Sequence, residues 1–146
     1  MNPLRCAMMI LALAGSVASP AFAITDGITT QGSRFVTGGI TQDERDALAS
    51  NSEPNGLRII TVTREGGRYL ADARIVIADD NGRQLLDARL DGPWLQVELD
   101  PGRYTIDAEF ERQSMQRSVT IARDVRRELY FFFDTDAEAL PGAADE

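Results

Sequence analysis

The side chains able to do chemistry in this chain are carboxylates and guanidinium groups. There are 23 Asp and Glu, no histidine, and a single cysteine, Cys6. All 15 basic residues are arginine. Ser-His-Asp and Cys-His nucleophilic machinery has no base to work with. A zinc site of the usual kind lacks its ligands, and a P-loop or Schiff-base lysine is absent. What remains is carboxylate chemistry, either glycoside hydrolysis or a hard-metal site, and both require carboxylates converging in a cleft. The acids here fall on turns and on outward strand positions. Calcium would need a D-x-[DN]-x-[DN]-G loop with a later glutamate. "DDNG" at 79–82 lacks that spacing and reads instead as a hairpin turn. We therefore expect no enzyme, no metal and no cofactor.

The most specific stretch is "VTGGITQDERDAL", residues 36–48. Glycines ahead of a helix can cradle an anion on bare backbone amides. Thr41 and Glu44, however, have the spacing of a capping box, which would fill those amides from within. Asp43 adds negative charge at the same end. Gly38 and Gly39 then serve to turn the chain so that Ala47 and Leu48 can dock. Trp94 is the other residue of interest. It alternates with Leu95 and Val97, so its indole lies on the face opposite the core. There it either stacks on a sugar or partner, or lies beneath the helix or the N-terminal segment. Gly38, Gly39, Asp43, Glu44, Arg45 and Trp94 form the candidate interaction surface.

These residues sit within a simple organisation. "MNPLRCAMMILALAGSVASPAFA", residues 1–23, carries one positive charge at Arg5, an apolar run, and a small-x-small end at Ala21 to Ala23. That is the pattern of a cleavable secretory signal peptide. The apolar run is short for a membrane span. Cys6 precedes it, whereas a lipid-bearing cysteine would follow it, and one arginine does not make a twin-arginine signal. The expected location is the periplasm or the medium, with no integral membrane segment left after cleavage. Loss of Arg5 would take the net charge from −8 to −9. Nucleic acid needs clustered positive charge, so it is not an expected partner. An oxidising compartment would allow disulfides, yet after residue 23 the chain has no cysteine. Core packing must hold it together.

Residues 24–56 form an N-terminal segment: an irregular lead, a short helix at 42–50, and a stop at Pro54. Two turns of helix are not stable alone, so this one must pack against something. From Leu57 the pattern changes to β. Residues 57–134 read as seven short strands with turn signals at the spacing of a sandwich. Ala73, Ile75 and Ile77, then Leu95, Val97 and Leu99, then Tyr104, Ile106, Ala108 and Phe110 face inward by strict alternation. Asp80, Asn81 and Gly82 supply positive-φ residues for a hairpin, and Pro101 with Gly102 makes another turn. "LYFFF" near the end is apolar on both faces. Docking of the helix on Tyr130 and Phe132 would cover that patch together with Trp94. Residues 135–146 are acidic and small, a tail.

Three elements resemble the carboxypeptidase regulatory-like domain. They are "ADARIVI" with its DNG hairpin, "DGPWLQVELDPGRYTIDA", and the returning strand "QRSVTI". The resemblance covers about residues 57–133. It implies an all-β, seven-stranded antiparallel sandwich of the transthyretin-like or Ig-like kind, with one short N-terminal helix. The domain it resembles carries no catalytic residues, so no active site is implied. Small secreted bacterial proteins similar to this one also place a Gly-Gly, acid-rich helix before the sandwich. The functional expectation is a non-catalytic periplasmic module that binds an envelope protein or assists one, using a sheet edge or the Trp94 face. The alternative is a carbohydrate-binding module. Mass spectrometry of protein recovered from the periplasm should find a mature N-terminus at Ile24; a retained Met1 would remove the signal-peptide reading.

Overall fold

Alternating apolar residues give each strand a core face, and a chain with many such strands must pair them face to face. The computed structural model describes residues 24–51 and 56–134. It is a mostly β protein of two sheets with one helix. In chain order the elements are β1 (Thr25–Ile28), β2 (Arg34–Gly38), α1 (Gln42–Ser50), β3 (Gly56–Thr63), β4 (Arg74–Asp79), β5 (Gln84–Arg89), β6 (Trp94–Glu98), β7 (Gly102–Phe110), β8 (Gln113–Ile121) and β9 (Arg127–Phe133). One sheet runs β1-β2-β6-β3-β9 and the other β5-β4-β7-β8. The sequence assignments to residues 1–23, 135–146 and Pro54 lie outside the described residues.

Two features depart from the sequence reading. There are nine strands rather than seven, because the lead before α1 forms the hairpin β1–β2. Its strands, TDGI and RFVTG, are short and only partly buried. Such an edge hairpin is held by its ladder and does not need the apolar alternation that marks a core strand. The sandwich is also not wholly antiparallel. β9 runs parallel to β3, from Leu57 beside Arg127 to Thr63 beside Phe133. Alternation records which face a residue occupies and is silent on strand direction.

Between the sheets lie Leu57, Ile59, Leu95, Phe131 and Phe133 from the first, and Ile75, Ile77, Leu86, Ile106 and Ala108 from the second. The rings of Phe110 and Phe133 meet at 5.6 Å and 47°. All the inward residues read from β4, β6 and β7 are buried, as are Ala73 and Leu99 beside them. At the β4–β5 turn, only Gly82 has positive φ, at 76°. The Asp79 carboxylate holds that turn by accepting the amides of Asn81 and Arg83 at 3.0 and 2.8 Å. At the turn after Pro101, Gly102 has a nearly extended φ of 159°.

That second turn is fixed by a side chain instead. The Tyr104 hydroxyl donates to the Asp100 carbonyl at 2.6 Å, tying β7 back across the corner. Tyrosine corners of this kind recur in sandwiches. Burial is the main reason the phenol is raised above its ordinary 10.0, with the charges of Asp100 and Asp79 adding to it. The fold thus favours the neutral phenol. This contribution is fully present below the unfolded pKa near 10 and is lost as pH climbs through the raised folded value. Replacing Tyr104 with Phe should cost about 1 kcal/mol at neutral pH and flatten the alkaline fall in stability, measured by urea titration at several pH values.

Candidate interaction surface

The outer face of the five-stranded sheet carries a second apolar cluster. Leu48 of α1, Ile60 and Val62 of β3, Tyr69, and Trp94 of β6 are its buried members, with Ile24 and Val36 beside them. Each has a local reason to be there. β3 is apolar at consecutive positions, so Ile60 and Val62 face outward while Ile59 faces the main core. Trp94 pairs with Ile60 on one side and Gly38 on the other. Tyr69 is joined to Val62 by an isolated bridge.

The helix reaches this face through a tightly built entry. The Thr41 hydroxyl accepts the Glu44 amide at 3.2 Å, and the Glu44 carboxylate accepts the amides of Thr41 at 3.3 Å and Ile40 at 2.8 Å. This is a complete capping box. Glu44 thus occupies the position an external anion would take at the Gly-Gly turn. At the other end, Ser50 donates to the Asp46 carbonyl at 2.8 Å and Asn51 to the Ala47 carbonyl at 3.0 Å. These bonds close the helix without a glycine.

Two guanidinium groups act as lids on the cluster. Arg45 is buried and lies 4.7 Å from the centre of the Tyr69 ring. It donates to the carbonyls of Gly39 at 2.9 Å and Ile40 at 3.1 Å, and to Gln42 at 3.0 Å. Arg58 lies 4.5 Å over the Trp94 ring while pairing with Glu128 at 3.2 Å. A planar guanidinium can cover an aromatic face and keep its in-plane donors for oxygen.

Two glycines make the approach possible. Gly39 has φ +88°, and a Cβ there would lie 3.1 Å from Trp94 Cγ. A Cβ on Gly92 would fall 2.3 Å from the Gly38 carbonyl oxygen. Backbone contact this close admits no side chain.

The structure therefore brings all six candidate residues into one neighbourhood and leaves little of it accessible. Gly38, Gly39, Glu44, Arg45 and Trp94 are buried, and only Asp43 is exposed. Trp94 is 9% exposed, too little to serve as a stacking platform for a sugar. The helix does not cover Tyr130 and Phe132, which remain 40% and 38% exposed. Leu48 instead joins Ile60, Val62 and Trp94, toward the middle of the sheet. The sequence reading did not include Tyr69 and Arg58 in this region. A Tyr outside any strand and an Arg within one carry no signal of the ring faces they cover.

The far strand of the same sheet carries exposed aromatic rings. β9 is its terminal strand. Tyr130 and Phe132 stack on its outer face with ring centres 6.2 Å apart. Two grooves flank the sheet. One, of about 570 Å³, is lined by Arg34, Val36, Leu48 and Glu98 among others; a second, of about 340 Å³, by Arg58, Arg126, Arg127 and Glu128. Among the described residues each is lined by one carboxylate, Glu98 or Glu128, whereas glycoside hydrolysis needs a pair. Among the described residues no three acidic, His or Cys side chains group as metal ligands. On the outer face of the other sheet, charges compensate locally. Arg74 bonds both oxygens of Asp87, at 2.8 and 2.7 Å, and holds that carboxyl below its ordinary range.

No protein-family model and no curated protein sequence matches this chain. No helix among the described residues is long and apolar enough to cross a membrane.

Because the capping box fixes how α1 enters the sheet, T41A/E44A should lower stability by roughly 1–2 kcal/mol. It should also shift the emission of the single tryptophan to longer wavelength as Trp94 loses its cover. Unchanged stability and emission would show that the entry loop does not hold the helix in place.

Proposed function

We propose that the protein is a non-catalytic, secreted accessory module of the bacterial envelope, a transthyretin-like sandwich that docks a protein partner along the β9 edge. The observation that carries this reading is the Tyr130–Phe132 pair, exposed and stacked on a terminal strand. Terminal strands offer backbone groups to other chains, and natural proteins commonly blunt them with charge, proline or a cover. This one displays aromatic rings between the charges of Arg127, Glu128 and Asp134, and such rings are favoured at protein interfaces. Strand addition at an edge, with adjacent side chains supplying specificity, is a common recognition mode. Among the described residues neither groove brings two carboxylates together, and a non-catalytic role is consistent with that. Burial of Trp94 weighs against the carbohydrate-binding reading.

Exposed substitutions away from caps and cores change stability by about 0.5 kcal/mol or less, so Y130S/F132S should melt like the wild type. Immobilised on beads in periplasmic extract, the variant should lose the proteins that the wild type retains. Equal capture by both would remove β9 from the interaction. Glycoside turnover abolished by changing a single carboxylate would replace the binding role with an enzymatic one.

A further inference from the structure

The groove of about 570 Å³ lies on the outer face of the five-stranded sheet, between the end of α1 and the strands β2 and β6. Val36, Ala47 and Leu48 give it an apolar wall, and Glu98 is its one carboxylate among the described residues. Alternation explains why these groups meet. Trp94 and Val36 face outward with the second cluster. Glu98 and Arg34 lie an even number of positions from them and face outward too. β2 and β6 pair Phe35 with Val97, which makes Arg34 and Glu98 the next positions on adjacent strands.

Opposite charges on adjacent strands ordinarily pair. Here Arg34 turns the other way and meets Asp26 of β1 at 3.6 Å, on the far side of β2 from β6. No cation among the described residues pairs with Glu98. Residues 52–55 and 135–146 contain no basic side chain. The α-amino group of a chain starting at Ile24 is out of reach as well. Thr25 pairs with Thr37, which sets Ile24 beside Gly38, roughly 16 Å from Glu98 by strand spacing and rise. A second source of negative potential faces the same groove. α1 ends there, with Ser50 and Asn51 on the rim. The helix has no basic residue in its last turn, so no side chain of its own offsets the negative end of its dipole.

We propose that this groove binds an alkyl cation, with an apolar stem along Val36, Ala47 and Leu48 and an ammonium group at Glu98 beside the end of α1. The volume falls within the range of small-ligand sites, about 300–1,000 Å³. The charge arrangement discriminates against alcohols and carboxylates with the same stem, since neither supplies the missing cation. The second groove differs, because there Arg58 already holds Glu128 at 3.2 Å. A free amine and the lysine side chain of another protein share the chemistry recognised. The site lies apart from β9 and does not depend on docking there.

Titration of isotope-labelled protein, recovered from the periplasm, with hexylamine tests the site by two-dimensional NMR. The expected dissociation constant is about 1 mM. Shifts should be confined to the amides of residues 34–36, 47–51 and 96–98, which line the groove. Hexanol and hexanoate should bind at least about tenfold more weakly. E98Q gives up the charged acceptor and should lose about tenfold in affinity for hexylamine. R34Q removes the nearest competing cation and should tighten binding about threefold. S50R places a guanidinium at the end of α1 and should weaken binding about tenfold, whereas the uncharged S50Q should bind like the wild type. Circular dichroism melts matched to the wild type establish that the variants are folded.

Absence of saturable hexylamine binding up to about 50 mM overturns the proposal. So does hexanol binding as tightly as hexylamine, E98Q binding as tightly as the wild type, or R34Q binding more weakly. Nα-acetyl-lysine methylamide presents the same stem from a peptide backbone and separates the two sources. Binding within about threefold of hexylamine assigns the groove to a lysine of another protein. Binding of hexylamine alone assigns it to a free amine, and either result supports the site.

Discussion

β3 is buried on both faces, and the rest of the structure follows from that constraint. Ile59 faces the other sheet while Ile60 and Val62 face outward. A sheet with an apolar outer face needs a second cover beyond its partner sheet. In a larger α/β protein a row of helices provides it. Here the cover is assembled from small pieces: nine residues of helix, Tyr69, and the flat faces of two arginines. Trp94 is the side chain at which several of these pieces meet. The Gly39 turn packs against the indole, and Arg58 lies across it. The helix is too short to persist alone, so its stability belongs to this contact and to its cap.

The composition gains meaning in this setting. Arginine is the chain's only basic residue, and Arg45 and Arg58 act as covering planes over the rings of Tyr69 and Trp94. Lysine could not substitute in this role, since its point charge cannot lie flat on a ring while its donors reach two carbonyls. The carboxylates divide in the same way. Glu44 terminates a helix, Asp79 shapes a turn, and Glu128 holds Arg58 in place. The acidic balance of the chain thus includes several side chains committed to structure.

Much of this arrangement was legible in the sequence. Alternation placed the inward residues of β4, β6 and β7, and Thr41 with Glu44 marked the start of α1. Polar side chains hid the rest. The hairpin β1–β2 carries too few apolar residues to show a period. The parallel run of β9 beside β3 leaves no trace in side-chain alternation, which is the same for either direction. The placement of α1 over Trp94 rather than over Tyr130 and Phe132 depends on Gly39 and Gly92 letting backbones nearly touch, and sequence spacing does not encode that distance. Arg45 was read as surface because charge reads as exposed. Its burial depends on the adjacent carbonyls of Gly39 and Ile40 and on the Tyr69 ring from a distant segment.

The pairing of β3 with β9 also orders events in time. The two strands lie seventy positions apart, and β9 is the last strand described. Loop closure over that span must precede any gain from the contact, a condition that slows folding. A chain still emerging from the ribosome has β3 in hand and nothing to set along its far side. The sandwich can therefore close only after residues 127–133 are available. A protein that completes itself this late leaves the apolar faces of β3 uncovered for longer, which lengthens the interval in which they can stick to other chains.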